Sequence, residues 1–91
     1  MAEGVLQLNS SKHCFEEVSS GRRKVEIRPM TPFWRSRLDS RKYSEIHMRN
    51  GYSSTAPFLR VEFQGVTIKE VKGEPCYAIK LGEILEIQNY P

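Results

Sequence analysis

Cysteine and histidine are scarce in this sequence, and neither occurs in a cluster. Cys14 and Cys76 lie far apart along the chain, and His13 and His47 are the only histidines. A zinc site needs closely spaced ligands and a disulfide scaffold needs several paired cysteines, so this spacing supports neither. We therefore expect no metal site and two reduced thiols in a cytoplasmic protein.

Long hydrophobic runs, a leader pattern and the common enzyme signatures are also missing. No apolar stretch approaches the roughly 18 residues of a membrane-spanning helix, and the first residues lack the charged and then apolar pattern of a signal peptide. No glycine-rich phosphate loop, Ser/His/Asp set or metal-ligand spacing is present. We expect no membrane association, no cofactor and a single domain over residues 1–91.

Charge is nearly balanced overall but unevenly distributed. The chain has 14 Lys and Arg residues against 11 Asp and Glu, which gives a net charge of +3. Nine of the 14 basic residues fall between Arg22 and Arg49, interleaved with Phe33, Trp34 and Tyr43. This composition is typical of a phosphate-binding surface with stacking platforms. The alternative is that these arginines occupy exposed helix and loop positions.

Hydrophobic spacing predicts a strand, two short helices and a second strand in the N-terminal half. Residues 5–8 are a strand candidate, and hydroxyl and amide residues suited to helix capping follow it. A helical pattern over residues 12–20 ends at Gly21, which adopts the left-handed cap conformation at little cost. Thr31 and Pro32 combine a capping hydroxyl with a proline at the first helical position, so they predict the start of the second helix.

The C-terminal half has the pattern of strands interrupted at glycines. Residues 43–49 alternate between apolar and polar side chains, as in a half-buried strand, and a loop follows over residues 50–57. The apolar positions change phase at Gly65, which predicts a bulge, while residues 72–75 predict a turn and Gly82 a kink. Five to six short strands and two early helices predict an α+β, mostly β fold, a small β-barrel.

Residues 21–28 combine a turn residue, charge and strand alternation. Lys24, Glu26 and Arg28 share one face of the predicted strand, while the two intervening apolar residues share the other. On a solvated surface such an ion pair contributes little. If the ionised face lines a hollow, the carboxylate and the guanidinium become a binding pair for a base edge or an anion.

The same stretch resembles the signature of the ASCH domain, a small β-barrel module similar to the PUA domain of RNA-binding and RNA-modifying proteins. The pattern Gly-x-Lys-x-x-Glu-x-Arg falls on Gly21, Arg23, Glu26 and Arg28, with arginine in place of the pattern's lysine. Residues 49–52 and 79–85 also look like segments of small bacterial and phage members. The likeness therefore covers nearly the whole chain.

The resemblance implies that RNA or a nucleotide binds in a cleft beside the signature. The predicted ligand-binding residues are Arg23, Arg28, Arg35, Arg49 and Tyr52. Some small ASCH proteins are amidohydrolases acting on acetylated cytidine and others are reported as ribonucleases, so a small hydrolase is the alternative. The working lysine and threonine of that amidohydrolase fall on Arg23 and Glu26. Arginine stays protonated near neutral pH, so Lys24 would have to take over the role of that lysine. In this alternative Glu26 is the general base, and Lys24 or Arg23 stabilises developing negative charge.

Three further interpretations stay open at this point. His47 is either a general acid or base or a packed strand residue. Tyr52 either stacks a base or covers the end of the barrel, and Trp34 shares a helix face with Leu38, which favours a core position. The chain as a whole is alternatively an interaction module whose cleft binds a protein partner and shows little dependence on ionic strength.

Overall fold

The computed structural model describes residues 4–39 and 42–89, in which it shows five strands and two helices. The strands are β1 (Gly4–Asn9), β2 (Val25–Pro29), β3 (Tyr43–Arg49), β4 (Phe58–Val71) and β5 (Glu74–Gln88). Helix α1 (Lys12–Ser19) lies between β1 and β2, and helix α2 (Pro32–Leu38) lies between β2 and β3. The predicted class, α+β and mostly β with two short early helices, is confirmed.

The five strands form one sheet in the order β1-β3-β4-β5-β2. β1 and β3 are parallel, and the other neighbouring strands are antiparallel. β1 and β2 lie at the two ends of this order, and within the described ranges they do not pair with each other. A closed barrel requires a hydrogen-bonded ladder between the first and last strands. The predicted barrel is therefore not confirmed, and the sheet is open.

Each helix begins at the hydroxyl residue that its sequence indicates. The Ser11 hydroxyl accepts a hydrogen bond from the Cys14 amide at 3.2 Å, and the Thr31 hydroxyl accepts one from the Trp34 amide at 3.4 Å. These caps satisfy amide groups that have no partner within the helix. α1 ends shortly before Gly21, whose φ of 84° is the left-handed conformation expected of a helix stop.

Two tyrosines hold the C-terminal end of α2 against the sheet. The Tyr43 hydroxyl donates to the Arg37 carbonyl oxygen, and the Tyr77 hydroxyl donates to Asp39 Oδ1 at 2.6 Å. The hydrogen bond to Asp39 raises the pKa of Tyr77, because loss of the phenolic proton would bring two negative charges together. Leu38 is buried beneath this end of the helix. These contacts position α2, and with it the aromatic residues of its first turn.

The hydrophobic core lies between one face of the sheet and the two helices. β3 alternates as predicted, with Ile46 and Met48 at 0% exposure. The other elements contribute Leu6, Leu8, Phe15, Val18, Leu38, Leu59, Val61, Tyr77, Ile79 and Leu81 to the same cluster. Full burial of one such aliphatic side chain stabilises a fold by about 1.5–3 kcal/mol. One shared cluster therefore orders the sheet and the helices together.

β4 and β5 form a long hairpin whose register shifts at three places, two of them beside glycines. The pairing shifts at Gly65, which has a φ of 109°, and again beside Gly82. The first shift confirms the predicted bulge, and the second lies where the sequence predicts a kink. The predicted turn at residues 72–75 is shorter than expected, because only Lys72 and Gly73 lie between the strands. Bulges bend a sheet and increase its twist, which helps the sheet to curl.

Candidate functional site

The charged face of β2 points toward the core. Antiparallel pairing places Glu26 opposite Ile79 and Arg28 opposite Tyr77, and both partners belong to the core cluster. Glu26 is only 2% exposed, and the Arg28 side chain is 16% exposed. Directly paired residues lie on the same face of a sheet. The alternation predicted for this strand therefore matches the structure, and its ionised face is the sheltered one.

Arg28 connects the two end strands of the sheet. Its Nη1 donates to Glu26 Oε1 at 3.0 Å and to the Ile27 carbonyl oxygen at 2.9 Å. Its Nη2 donates to the Asn9 carbonyl oxygen at 3.2 Å, which joins β2 to β1. Glu26 Oε2 is buried and has no hydrogen-bond partner among the described residues. Because a buried carboxylate needs a paired cation, Glu26 depends on Arg28.

A cavity of about 520 Å³ lies between β1, the first turn of α2 and the loop after β3. Its lining consists of Gln7, Leu8 and Asn9 from β1, Phe33 and Trp34 from α2, Arg49 from β3, and Gly51 and Tyr52 from the loop. Ligand sites of proteins typically have volumes of roughly 300–1,000 Å³ and combine aromatic walls with a few polar groups. This cavity has that size and that composition.

Asn9 connects the cavity to Arg28. Its carbonyl oxygen accepts the hydrogen bond from Arg28, and its side-chain Nδ2 donates to the Gly51 carbonyl oxygen at 3.0 Å. The Arg28 guanidinium also lies 5.4 Å from the centre of the Trp34 ring, within cation–π range. Arg28 therefore contacts two residues of the cavity wall without being part of the lining. The bond to Gly51 fastens the loop that carries Tyr52.

Arg49 lines the cavity and Arg37 lies against the lining residue Phe33, and neither has a carboxylate partner in the described part of the chain. The Arg49 guanidinium lies 4.5 Å from the centre of the Phe58 ring, and it makes no hydrogen bond or ion pair with a described residue. Arg37 lies 3.7 Å from the centre of the Phe33 ring, and its hydrogen bonds go to the Phe33 carbonyl oxygen and the Ser36 hydroxyl. Both guanidinium groups keep an uncompensated charge and spare N–H donors for an anion.

The structure brings Arg49 and Tyr52 together at the cavity and places Arg28 behind its wall, but it puts the other predicted binding residues elsewhere. Arg23 donates from Nε and Nη2 to Glu17 Oε1 at 3.1 and 2.7 Å, and this contact lowers the pKa of Glu17. Arg35 donates from Nε to the backbone at the start of α2. Neither Arg23 nor Arg35 lines the cavity.

The two predicted catalytic residues have different surroundings. Glu26 is buried and bonded to Arg28, whereas Lys24 is exposed immediately before β2. Neither lines the cavity. A general base must come within hydrogen-bond reach of the proton that it removes. No observation here favours the hydrolase over a binding module, so the hydrolase stays a prediction.

Several residues of the site were not predicted from the sequence. Trp34 was expected in the core, but it is only partly buried and both packs against the core and lines the cavity. The sequence does indicate a binding role for Phe33 and Arg37, since they lie in the basic and aromatic segment at the start of a helix. No sequence pattern indicates such a role for Gln7 and Asn9, because only the pairing of β1 with β3 brings them to the site.

A separate ion network lies on the face of the sheet opposite the core. Arg60 donates from Nε and Nη2 to the two carboxylate oxygens of Glu45, at 2.9 Å each, and from Nη1 to Glu86 Oε1 at 2.9 Å. His47 Nε2 lies 3.1 Å from Glu45 Oε1, and its ring packs edge-on against Phe58. The hydrogen bonds from Arg60 lower the pKa of Glu45 to about 2. His47 therefore belongs to this network, and it does not line the cavity.

Residues 4–39 and 42–89 contain no group of three or more His, Cys, Asp and Glu side chains that could hold a metal ion. No helix in these ranges is long and apolar enough to cross a membrane. Comparisons with protein-family models, with curated proteins and with solved structures found no match. The ASCH resemblance therefore rests on the sequence motif.

Proposed function

We propose that this protein binds RNA or nucleotides, with a base in the aromatic cavity and phosphate groups on the neighbouring arginines. The observation that carries the proposal is one cavity of about 520 Å³ that combines the rings of Phe33, Trp34 and Tyr52 with the guanidinium of Arg49, which has no ion pair among the described residues. Nucleic-acid sites without a fixed sequence preference combine the same two elements, a stacking surface and a cationic groove.

Two of the aromatic side chains are exposed although they have apolar rings. Tyr52 is 93% exposed and Phe33 is 53% exposed. Core packing does not account for either ring, and exposed aromatic surface beside a cavity is a common mark of a binding site. A stacked base would remove this surface from water and contribute about 1–3 kcal/mol per base.

The charge around the cavity favours an anionic ligand. Arg49 belongs to β3 and Arg37 belongs to α2, so the two cations approach from different elements. Glu17 pairs with Arg23 and Glu26 pairs with Arg28, whereas no carboxylate among the described residues pairs with Arg37 or Arg49. Phosphate contacts release counterions, so affinity is expected to fall steeply as salt is added.

The proposal is tested with a labelled single-stranded RNA of mixed sequence, about 10 nucleotides long so that it spans a site of this class. Fluorescence anisotropy measures its affinity between about 50 mM and 200 mM salt. We expect salt-sensitive binding that weakens in Arg49→Ala. Lys69→Ala is the matched control, because Lys69 is an exposed cation on the distal part of β4.

The expected pattern is a loss of affinity in Arg49→Ala together with a reduced salt slope, while the Lys69→Ala protein binds like the wild type. Equal affinity in the two variants would contradict the assignment of phosphate to Arg49. Absence of salt-sensitive RNA binding in the wild-type protein would overturn the proposed function.

A further inference from the structure

The edge of β1 that faces away from β3 carries backbone groups that point away from the sheet. The Ser10 amide donates to the Arg49 carbonyl oxygen at 2.8 Å, which is a contact toward β3. The Asn9 carbonyl oxygen instead accepts from Arg28, on the opposite edge. Backbone groups of successive strand residues point to opposite edges. Gln7 lies two residues before Asn9, so its backbone amide and carbonyl oxygen also point away from β3.

These outward-facing groups lie at the cavity, because Gln7 and Asn9 both line it. No described strand pairs with this edge of β1. The Asn9 carbonyl oxygen accepts a hydrogen bond from Arg28. The next two groups along this edge, the Gln7 carbonyl oxygen and the Asn9 amide, have no strand partner among the described residues. One is an acceptor and the other is a donor. Backbone amides and carbonyl oxygens are strong hydrogen-bonding groups, so this pair is available to a ligand that supplies the complementary donor and acceptor.

We infer that the cavity reads the Watson–Crick edge of one unpaired base through the Gln7 carbonyl oxygen and the Asn9 amide. This inference rests on the proposed function and narrows its ligand class. Each base presents hydrogen-bonding groups side by side on that edge, and single-stranded segments leave them free for a protein. The ligand is then single-stranded RNA or a free nucleotide, because a duplex already uses the same edge for base pairing.

An extended peptide is the other ligand that pairs with a free strand edge. Two features of the cavity favour a base over a peptide. The lining offers the rings of Phe33, Trp34 and Tyr52, on which a flat heterocycle stacks. Arg37 and Arg49 carry uncompensated charge beside those rings, and a nucleotide brings a phosphate to each base where a peptide backbone brings no charge.

The test compares three labelled oligouridines of about 10 nucleotides, a length within the range of single-strand sites. The first is unmodified. The second contains 3-methyluridine, which replaces the Watson–Crick N–H by a methyl group. The third contains 5-methyluridine, which places the same methyl group on another edge of the ring. We expect the unmodified and 5-methyl forms to bind alike in fluorescence anisotropy. We expect the 3-methyl form to bind about tenfold more weakly or worse, since a methyl group takes the place of the N–H that pairs with the Gln7 carbonyl oxygen.

The backbone amide of Asn9 gives a second readout, because its resonance in nitrogen–proton NMR spectra reports a new hydrogen bond. We expect this resonance to shift on addition of unmodified oligouridine and to stay in place with the 3-methyl form. Equal affinity for the 3-methyl and 5-methyl forms, or an unchanged Asn9 amide in the bound protein, overturns this inference and leaves the proposed function standing. Binding to the mixed-sequence RNA but to none of the three oligouridines also overturns this inference alone. Absence of salt-sensitive binding to the mixed-sequence RNA and to all three oligouridines overturns both.

Discussion

Arg28 donates a hydrogen bond to the Asn9 carbonyl oxygen at 3.2 Å, across the open side of the sheet. β1 and β2 have no backbone ladder between them within the described residues, so this guanidinium bridges the two end strands. The same group neutralises Glu26, which is buried. Sheet curvature, a buried charge and the wall of the cavity therefore depend on one side chain.

Removal of Arg28 is expected to destabilise the protein strongly. Arg28→Ala leaves the Glu26 carboxylate buried without its cation, and the loss of one partner of a buried ion pair costs about 3–5 kcal/mol. Urea unfolding followed by circular dichroism measures the change in the free energy of unfolding. In the Arg28→Ala background, Glu26→Gln removes the unpaired charge and is expected to recover part of the loss.

Arg23→Ala is the matched control for that experiment. Arg23 also binds a carboxylate, but both it and Glu17 are partly exposed, so the pair is screened by water. We expect a much smaller shift of the urea midpoint than for Arg28→Ala. Equal shifts in the two variants would show that the buried position of the Glu26–Arg28 pair has no energetic consequence.

A substitution at Tyr52 is expected to change RNA binding without changing stability. Its ring is 93% exposed, so Tyr52→Ala is expected to change the free energy of unfolding by no more than about 0.5 kcal/mol. RNA affinity is expected to fall roughly tenfold, because one stacking contact of about 1–3 kcal/mol is lost. Ile68→Ala, which truncates another exposed apolar side chain, serves as control. Unchanged RNA affinity in Tyr52→Ala would remove this ring from the site.

The Thr31 cap links helix stability to the cavity. Thr31→Ala removes the hydrogen bond to the Trp34 amide and is expected to cost about 1 kcal/mol in urea unfolding. Since the first turn of α2 carries Phe33 and Trp34, RNA affinity is expected to weaken as well. Thr31→Ser keeps a capping hydroxyl and is expected to restore both. Equal stability and equal RNA affinity of the alanine and serine variants would show that the Thr31 hydroxyl does not stabilise the start of α2.

Acid is expected to weaken the ion network on the outer face of the sheet. The hydrogen bonds from Arg60 lower the pKa of Glu45 from 4.5 to about 2. A carboxyl group with a lowered pKa in the folded state contributes stability that is complete above its ordinary pKa and is lost as pH falls through the lowered one. The urea midpoint should therefore decrease between these two pH values.

Arg60→Gln tests this source of pH dependence. The variant removes the cation that holds the Glu45 pKa down, so the urea midpoint is expected to vary less across the same acidic range. Lys69→Gln, which changes an exposed cation outside the network, is expected to keep the wild-type profile. If Arg60→Gln followed the wild-type profile, another group would have to account for the acid sensitivity.

Local structure could be predicted because its causes lie within a few residues. The capping hydroxyls of Ser11 and Thr31 mark both helix starts, and Gly21 marks a helix end at positive φ. The bounds of β3, Tyr43–Arg49, match the predicted strand, since alternation there is regular and its apolar side chains are the most deeply buried. These elements can be predicted from such local patterns without knowing what the segment packs against.

The buried face of β2 could not be predicted in the same way. Alternation separates Glu26 and Arg28 from Val25 and Ile27, and apolar side chains ordinarily face the core. In the structure the two apolar residues are half-buried and Glu26 is the fully buried one. The orientation depends on β5, which pairs with β2, and on a carbonyl oxygen of β1 that Arg28 reaches. Both are distant in sequence.

The candidate site was predictable to the extent that its residues lie in the basic and aromatic segment. Arg49 and Tyr52 were predicted as ligand-binding residues, and both line the cavity. Gln7 and Asn9 could not be found, because no local pattern shows that β1 runs parallel to β3. Parallel pairing joins strands that are separated by long crossovers, and hydrophobic periodicity contains no information about such partners.

The pairing of the early strands with late ones sets the order in which the chain can fold on the ribosome. Val25 pairs with Lys80, so β2 is synthesised long before its partner exists. β1 likewise waits for β3. Contacts between distant parts of a chain slow folding and leave strand edges open to aggregation. The complete five-stranded sheet can therefore form only after β5 has been synthesised, and until then β2 has no strand to pair with.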